Sequence, residues 1–176
     1  MDFPETILTP RLNLQRLKFE DSVTFIKLLA KESARLENSF AGTLRLVNED
    51  PAEYFRQCDQ GWEGQTRYRF GLWKEQTLAG LVGLRSVDQT MSSAELFYFV
   101  SSELEGQGLA FEATDALVRR ALEHELHNLW LRVLPSNPRS ARLAERLGFE
   151  AAEVLNQNYT TLDGTIHDTQ VYRRRL

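Results

Sequence analysis

The sequence has one cysteine, Cys58, and three histidines among its 176 residues. A single thiol excludes an internal disulfide and argues against a metal site built on cysteine. No apolar run approaches the roughly eighteen residues that a membrane-spanning helix needs, and the first residues do not resemble a signal peptide. We therefore expect a soluble, cytoplasmic protein with no metal ion and no membrane contact.

The chain also lacks an excess of positive charge. It carries 21 Lys and Arg against 25 Asp and Glu, a net charge of −4. The run Arg173-Arg174-Arg175 is most simply a solvated strand end. Because proteins that bind nucleic acid over a wide surface are usually basic, no nucleic-acid partner is expected.

What is present suits a globular domain with its own core. Hydrophobic residues make up 42% of the chain, and there are only five prolines. No linker, repeat or low-complexity tract interrupts the pattern, so residues 1–176 are expected to form a single domain.

Strand and helix patterns alternate along this domain. The predicted order is strand, two helices, three strands, helix, strand, helix and two strands, with residues 34–48 left ambiguous. Such an order predicts an α/β fold with a mixed sheet of about seven strands and helices on both faces. The predicted strands cover residues 11–17, 68–74, 78–87, 94–100, 130–134, 149–159 and 166–174.

The middle of the chain carries the first functional signal. An apolar strand at residues 94–100 leads through a loop into a helix that begins at Gly108. The first N–H groups of such a helix lack intrahelical partners, and Gly106 and Gly108 allow a ligand to approach the backbone. The loop is therefore either an anion cradle, suited to a diphosphate, or an ordinary strand-to-helix turn.

The residues that follow carry a resemblance to a known family. The GNAT N-acetyltransferase superfamily has two acyl-CoA motifs similar to Glu105-Gly106-Gln107-Gly108-Leu109-Ala110 and to Asn137-Pro138-Arg139-Ser140 with Leu143-Ala144-Glu145-Arg146-Leu147-Gly148-Phe149. Three further stretches resemble the RimJ/RimL branch, which acetylates the N-termini of ribosomal proteins: Leu8-Thr9-Pro10-Arg11-Leu12, Ala94-Glu95-Leu96-Phe97-Tyr98, and Asp163-Gly164-Thr165-Ile166-His167-Asp168 with Tyr172. The resemblance implies a GNAT-like domain with a splayed acyl-CoA cleft and acetyl-CoA as acyl donor.

The resemblance also assigns cofactor contacts. Backbone groups of Phe99 and Val100 would pair with the pantetheine arm, and Asn137 would contact the same arm. The pyrophosphate would lie on the N–H groups of Gly106, Gln107, Gly108, Leu109 and Ala110. For Asn137, a role as a helix N-cap or in a turn is the alternative.

Two residues are candidates for proton transfer. Glu95, on the central strand, could draw a proton from the attacking amine as a general base; alternatively it is a strand glutamate paired with a cation. Many family members have a tyrosine acid where this chain has Ala144, and the resemblance assigns that part to Ser140 instead. Ser140 as a helix cap is the alternative, and Tyr98 is a weaker candidate acid.

The acceptor is the least determined part. A protein N-terminus is the leading prediction; alternatives are a small amine such as a polyamine, amino acid or antibiotic, or a non-catalytic acyl-CoA-binding module. Two departures from the family are Glu105, whose carboxylate should repel a diphosphate unless it turns to solvent, and Phe97, which either narrows the acceptor site or fills the core. Acidic residues expected near the acceptor would suit a cationic group, unless they are solvated surface: Glu37, Glu49, Asp50, Glu53 and Asp168. A homodimer is the commonest assembly for such a chain.

Overall fold

The computed structural model describes residues 3–175, and its strands form one sheet. The strand order is β1-β2-β3-β4-β5-β6-β8-β7, and adjacent strands are antiparallel except β5 and β6, which are parallel. The strands are β1 (Thr6–Leu8), β2 (Asn13–Arg16), β3 (Tyr68–Lys74), β4 (Thr77–Asp88), β5 (Ser93–Val100), β6 (Asn128–Val133), β7 (Glu150–Thr160) and β8 (Ile166–Arg175). The mixed α/β sheet is confirmed, with β1 as an eighth strand that the sequence did not indicate.

The helices lie between these strands in the predicted order, with one addition. They are α1 (Ser22–Leu36), α2 (Ala41–Glu49), α3 (Pro51–Glu63), α4 (Leu109–Glu123) and α5 (Pro138–Arg146). The ambiguous residues 34–48 contain the end of α1 and most of α2. Across residues 3–175, none of the helices is long and apolar enough to cross a lipid bilayer.

Helices cover both faces of the sheet, as predicted, because side chains alternate along each strand. On β5, Ala94 and Leu96 pack into a core shared with α4 and α5, whereas Phe99 packs into the core formed with α1, α2 and α3. Ala113 and Ala121 are fully buried on α4. Their small side chains let this helix lie close against the sheet.

The parallel pair β5 and β6 separates after a short contact. Only Ser93 to Glu95 of β5 pair with Asn128 to Trp130 of β6. Beyond that point β5 continues to Val100 and β6 to Val133, and no backbone pairing joins the two in the described chain. The strands thus open a wedge in the sheet, which is the splayed cleft expected from the resemblance.

Candidate active site

A cleft of about 800 Å³ occupies the wedge between β5 and β6. This volume suits a small-molecule ligand, for which pockets of roughly 300–1,000 Å³ are usual. All the site residues predicted from the sequence line it except Gln107. The separate motifs therefore meet at one place.

The loop that enters α4 has the geometry of an anion cradle. Gly106 and Gly108 have φ angles of 75° and 77°, in the left-handed region that favours glycine. A Cβ added to Gly106 would meet no atom within 4 Å, so the space beside the loop is open. The first N–H groups of α4 have no intrahelical partner, and the positive end of the helix dipole lies there. These residues fit a diphosphate.

The cradle is braced from the β1–β2 connection. Arg11 donates through Nη1 to the carbonyl oxygen of Gln107 at 2.8 Å, and through Nε to Glu112 Oε2 at 2.7 Å. Thr9 Oγ1 and the Arg11 N–H donate to the other oxygen of Glu112. Although burial opposes it, these hydrogen bonds hold the pKa of Glu112 below its ordinary value. The sequence offered the Thr9-Pro10-Arg11 motif but no sign of its distant partner.

Glu105, expected to turn to solvent or to weaken phosphate binding, is only partly exposed and is paired with two arginines; its effect on phosphate binding stays a prediction. One carboxylate oxygen lies 2.7 Å from Nη1 of Arg35 on α1, and the other contacts Nη1 of Arg139 on α5. The side chain is 32% exposed. We call this arrangement the Glu105 clip, because it ties α1 and α5 to the cradle.

The end of β5 is also held by α1. Arg35 Nη2 donates to the carbonyl oxygen of Val100 at 2.5 Å, so this predicted partner of the pantetheine already accepts a hydrogen bond. The carbonyl oxygen of Phe99 lies over β4, only 2.1 Å from where a Cβ on Gly80 would be. Buried Glu32 accepts from Ser101 and Ser102, which fixes the start of the loop. The contacts of Arg35 and Glu32 span about 65 to 70 residues, and no sequence pattern pointed to them.

Two hydroxyl groups meet in the cleft on the α5 side. Tyr98 Oη and Ser140 Oγ are 2.7 Å apart. Burial raises the pKa of Tyr98 to about 12, although the bond to Ser140 opposes the rise. Asn137 Oδ1 accepts from the Ser140 N–H at 3.1 Å, so Asn137 does cap α5 as its alternative role required. Its side-chain nitrogen makes no hydrogen bond in the described chain and is left for a ligand.

Glu95 lies on the opposite face of β5 and is enclosed by arginines. Its side chain is 1% exposed. Oε1 accepts from Arg85 Nη2 at 2.5 Å and from Arg132 Nε at 2.9 Å, and Oε2 accepts from Arg132 Nη2 at 3.2 Å. The contacts therefore match the alternative role, a glutamate paired with cations. The pair is buried, whereas a place on the solvent face of the strand was expected. The base role stays a prediction.

Phe97 lines the cleft. Its ring leans over Gly83, where an added Cβ would lie 2.5 Å from the ring, and packs edge-on against Phe40. Phe97 also packs against the core of α1, α2 and α3, as the second interpretation required. That it narrows the acceptor site stays a prediction.

The acidic residues expected at the acceptor end do not line the cleft. Asp50 caps α3, Glu53 pairs with Arg56, and Asp168 accepts from the Gln157 N–H. Glu37 and Glu49 are also outside the lining. The charged side chains that do line it are mainly arginines: Arg35, Arg85, Arg132, Arg139 and Arg146.

A sheet that splays beside an anion cradle is the arrangement that the resemblance to the GNAT superfamily implied. Residues 11–150 match the family model described as Acetyltransferase (GNAT) domain. The chain belongs to this family of GNAT acetyltransferases.

The chain is also similar in sequence to individual acetyltransferases. The [ribosomal protein uS5]-alanine N-acetyltransferase of Escherichia coli (strain K12) is 31% identical over 177 residues, which cover 90% of each chain. YdaF of Bacillus subtilis (strain 168) is 31% identical over 104 residues, and the match spans 58% of this chain but only about half the length, 56%, of YdaF.

A solved structure has the same fold. RimL, a ribosomal L7/L12 alpha-N-protein acetyltransferase solved in complex with coenzyme A, superposes with a TM-score of 0.89 at 16% identity over 98% of both chains. At that level of identity the likeness shows the fold alone.

Proposed function

We propose that this protein transfers the acetyl group of acetyl-CoA to the N-terminal amine of a protein, by direct attack within a ternary complex. The observation that carries the proposal is one cleft that joins an anion cradle to the hydroxyl pair Tyr98–Ser140. Similarity along 90% of the chain to a ribosomal-protein N-acetyltransferase supports a protein acceptor, and a ribosomal protein first of all. A cytoplasmic location is part of this proposal.

The donor end is proposed from the residues that fit a diphosphate. Acetyl-CoA supplies an activated acetyl group as a thioester. The N–H groups of residues 106–110 would hold its diphosphate, with Gln107 contributing backbone only, because its side chain turns toward Lys74. Asn137 would donate through its free side-chain nitrogen to the pantetheine arm, and Arg35 would share or release the Val100 carbonyl oxygen.

The acceptor is argued from proton balance. The attacking nitrogen must be neutral, and an α-amine with a pKa near 7.7–8.0 is about one-third neutral at pH 7.5, against about one in a thousand for an amine near 10.4. Glu95 already accepts three hydrogen bonds from arginines, which leaves room on Oε2 for one water or amine at most. A site with so constrained a base suits an α-amine better than a polyamine.

The leaving thiolate would be met by Ser140. The Tyr98 phenol is protonated at neutral pH and can donate its O–H to Ser140 Oγ; the 2.7 Å contact fits either hydroxyl as the donor, and the proposal takes Tyr98. The Ser140 hydroxyl is then free to point its hydrogen into the cleft and to donate a hydrogen bond to the departing sulfur. A thiol of pKa about 8.5 needs only this modest help.

Thiol release from acetyl-CoA by the purified protein tests the proposal. The acceptors are short peptides beginning with Ser, Ala or Met, with polyamines and amino acids for comparison, and each peptide has a matched control with a blocked N-terminus. We expect turnover with free peptides only. Turnover with small amines only would show that the acceptor is a small amine and not a protein N-terminus. No turnover with any amine, while acetyl-CoA still binds, would indicate a non-catalytic acyl-CoA-binding module. The expected homodimer stays a prediction that light scattering of the same sample tests.

A further inference from the structure

A second, smaller cavity of about 200 Å³ opens beside the acceptor end of the cleft. It shares Phe40, Arg85 and Phe97 with the main cleft, so the two spaces adjoin at the Phe97 ring. Arg67 and Arg69 line its far side. We call this cavity the arginine pocket.

The arginine pocket holds positive charge that the protein does not neutralise. Arg85 has a carboxylate partner in Glu95, but Glu95 is shared with Arg132. Arg69 donates to the sulfur of Cys58 at 3.1 Å and lies over the Tyr54 ring. Neither Arg67 nor Arg69 contacts a carboxylate within residues 3–175. Three guanidinium groups therefore face one cavity, and the one carboxylate that pairs with any of them, Glu95, is shared with Arg132 outside the pocket.

This arrangement is costly for the free protein and favourable for an anion. Burial lowers the pKa of Arg67, and the neighbouring Arg69 and Arg85 add to the effect, as expected where like charges are held together. Guanidinium groups match carboxylate geometry with two parallel hydrogen bonds. Because Cys58 and Tyr54 hold Arg69 and Glu95 holds Arg85, these two arginines lose little side-chain freedom on binding.

The position of the pocket sets which part of an acceptor could reach it. Arg69 lies opposite Gly83, and Gly83 lies opposite Phe97, so one row crosses β3, β4 and β5. Strands are about 4.8 Å apart, which puts the β3 end of this row about 10 Å from β5. An extended peptide advances about 3.3 Å per residue, so its second and third residues lie about 3 and 7 Å beyond the first, and their side chains, with those of the pocket arginines, cover the remaining distance.

We propose that the arginine pocket binds an acidic side chain at the second or third residue of the acceptor peptide and so selects acidic N-terminal segments. The inference rests on the proposed function and names the substrate class of that same site. It reverses the sequence-based expectation of an acidic groove for a cationic acceptor.

The test compares peptides that begin with Ser and differ only at the second or third residue, which is Glu, Ala or Lys. The wild type is expected to show at least a tenfold higher kcat/KM for a Glu peptide than for the Lys peptide, mainly through KM. In Arg67→Gln, the loss for the Glu peptide should exceed the loss for the Ala peptide about fivefold, and Arg67→Lys should recover part of the difference. Arg119→Gln, on an exposed arginine of α4, is the control and should keep the wild-type preference.

A binding measurement accompanies the kinetics. Calorimetry with the Glu peptide and free enzyme, without acetyl-CoA, should give a dissociation constant that rises about fivefold or more in Arg67→Gln, while thermal melts verify that the variant is folded. Equal kcat/KM for the three peptides, or equal peptide affinity in both enzymes, overturns this inference and leaves the proposed function standing. No turnover with any peptide overturns the proposed function, and the inference with it.

Discussion

Replacement of Glu105 by glutamine should tighten the binding of coenzyme A. In the free protein the Glu105 clip neutralises Arg35 and Arg139 beside the anion cradle. A ligand with phosphates must compete with that carboxylate for both guanidinium groups and tolerate its charge. Removal of the negative charge frees Arg139 and Nη1 of Arg35 to contact phosphate, while Nε and Nη2 of Arg35 stay paired with buried Glu32.

The magnitude follows from the exposure of the pairs. Glu105 is 32% exposed, and Arg35 and Arg139 are 37% and 74% exposed. Ion pairs with this much solvent contact are worth about 0.2–1 kcal/mol each. Two such pairs sum to roughly 0.4–2 kcal/mol, so we expect the dissociation constant of coenzyme A to fall about 2- to 30-fold.

Calorimetry of coenzyme A binding at low and high salt measures the effect. The matched control is Glu103→Gln, which removes the same charge two residues earlier, where Glu103 pairs with Lys31 at the surface. The gain for Glu105→Gln should shrink at high salt, because screening weakens exposed charges. An unchanged or weaker affinity in Glu105→Gln, or an equal gain in Glu103→Gln, would refute the reasoning.

Further changes test the cradle, the acid, the base and the brace. Gly106→Ala and Gly164→Ala both place a side chain at a positive φ with nothing within 4 Å, so each should cost about 1–2 kcal/mol of stability, but only Gly106→Ala should weaken coenzyme A binding, by about tenfold. Ser140→Ala should lower kcat about ten- to a hundredfold in a steady-state assay, which is at the low end of the rate loss expected when a general acid is removed. If Glu95 is the base, Glu95→Gln should lower kcat about a hundredfold or more with coenzyme A affinity unchanged. The lowered pKa of Glu112 means that its stabilisation is present above the ordinary glutamate range and is lost as pH falls through the folded-state value; denaturation of Glu112→Gln should therefore show less loss of stability on acidification than the wild type.

Patterns within short stretches predicted most of the fold, and the two elements that were not predicted, β1 and α2, are short. Strands such as β4 and β5 are long enough for their apolar pattern to show. Gly106 and Gly108 indicated an open loop before α4, and both have left-handed conformations there. In contrast, β1 has three residues with only Ile7 buried, so no alternation could mark it. The helix α2 did carry a signal, the spacing of its buried residues Ala41, Leu44 and Val47, but it is only nine residues long.

In the candidate site, local motifs were predicted from the sequence and contacts between distant residues were not. The cradle and the Ser140 region are local motifs that the resemblance assigned to one site, and both line the cleft between β5 and β6. The charge environment was not predictable, because Glu105 meets Arg35 across 70 residues and Glu95 meets Arg132 across 37. A carboxylate was therefore expected to face solvent where it is held by arginines, and an acidic acceptor end was expected where the lining is basic.

Each end of the cleft has one carboxylate between two arginines. The carboxylate is partly exposed at one end and buried at the other. At the donor end the Glu105 clip is exposed, so its arginines can exchange a carboxylate for phosphate at a cost of about 0.2–1 kcal/mol per pair. At the acceptor end Glu95 is buried, and separation of that pair would leave an uncompensated buried charge at roughly 3–5 kcal/mol. The donor end can therefore reorganise around its ligand, whereas Arg85 and Arg132 are held in one geometry before the acceptor arrives. Coenzyme A affinity should accordingly depend on salt through the Glu105 clip, while the discrimination among acceptor peptides should be set by a rigid, preformed wall of the cleft.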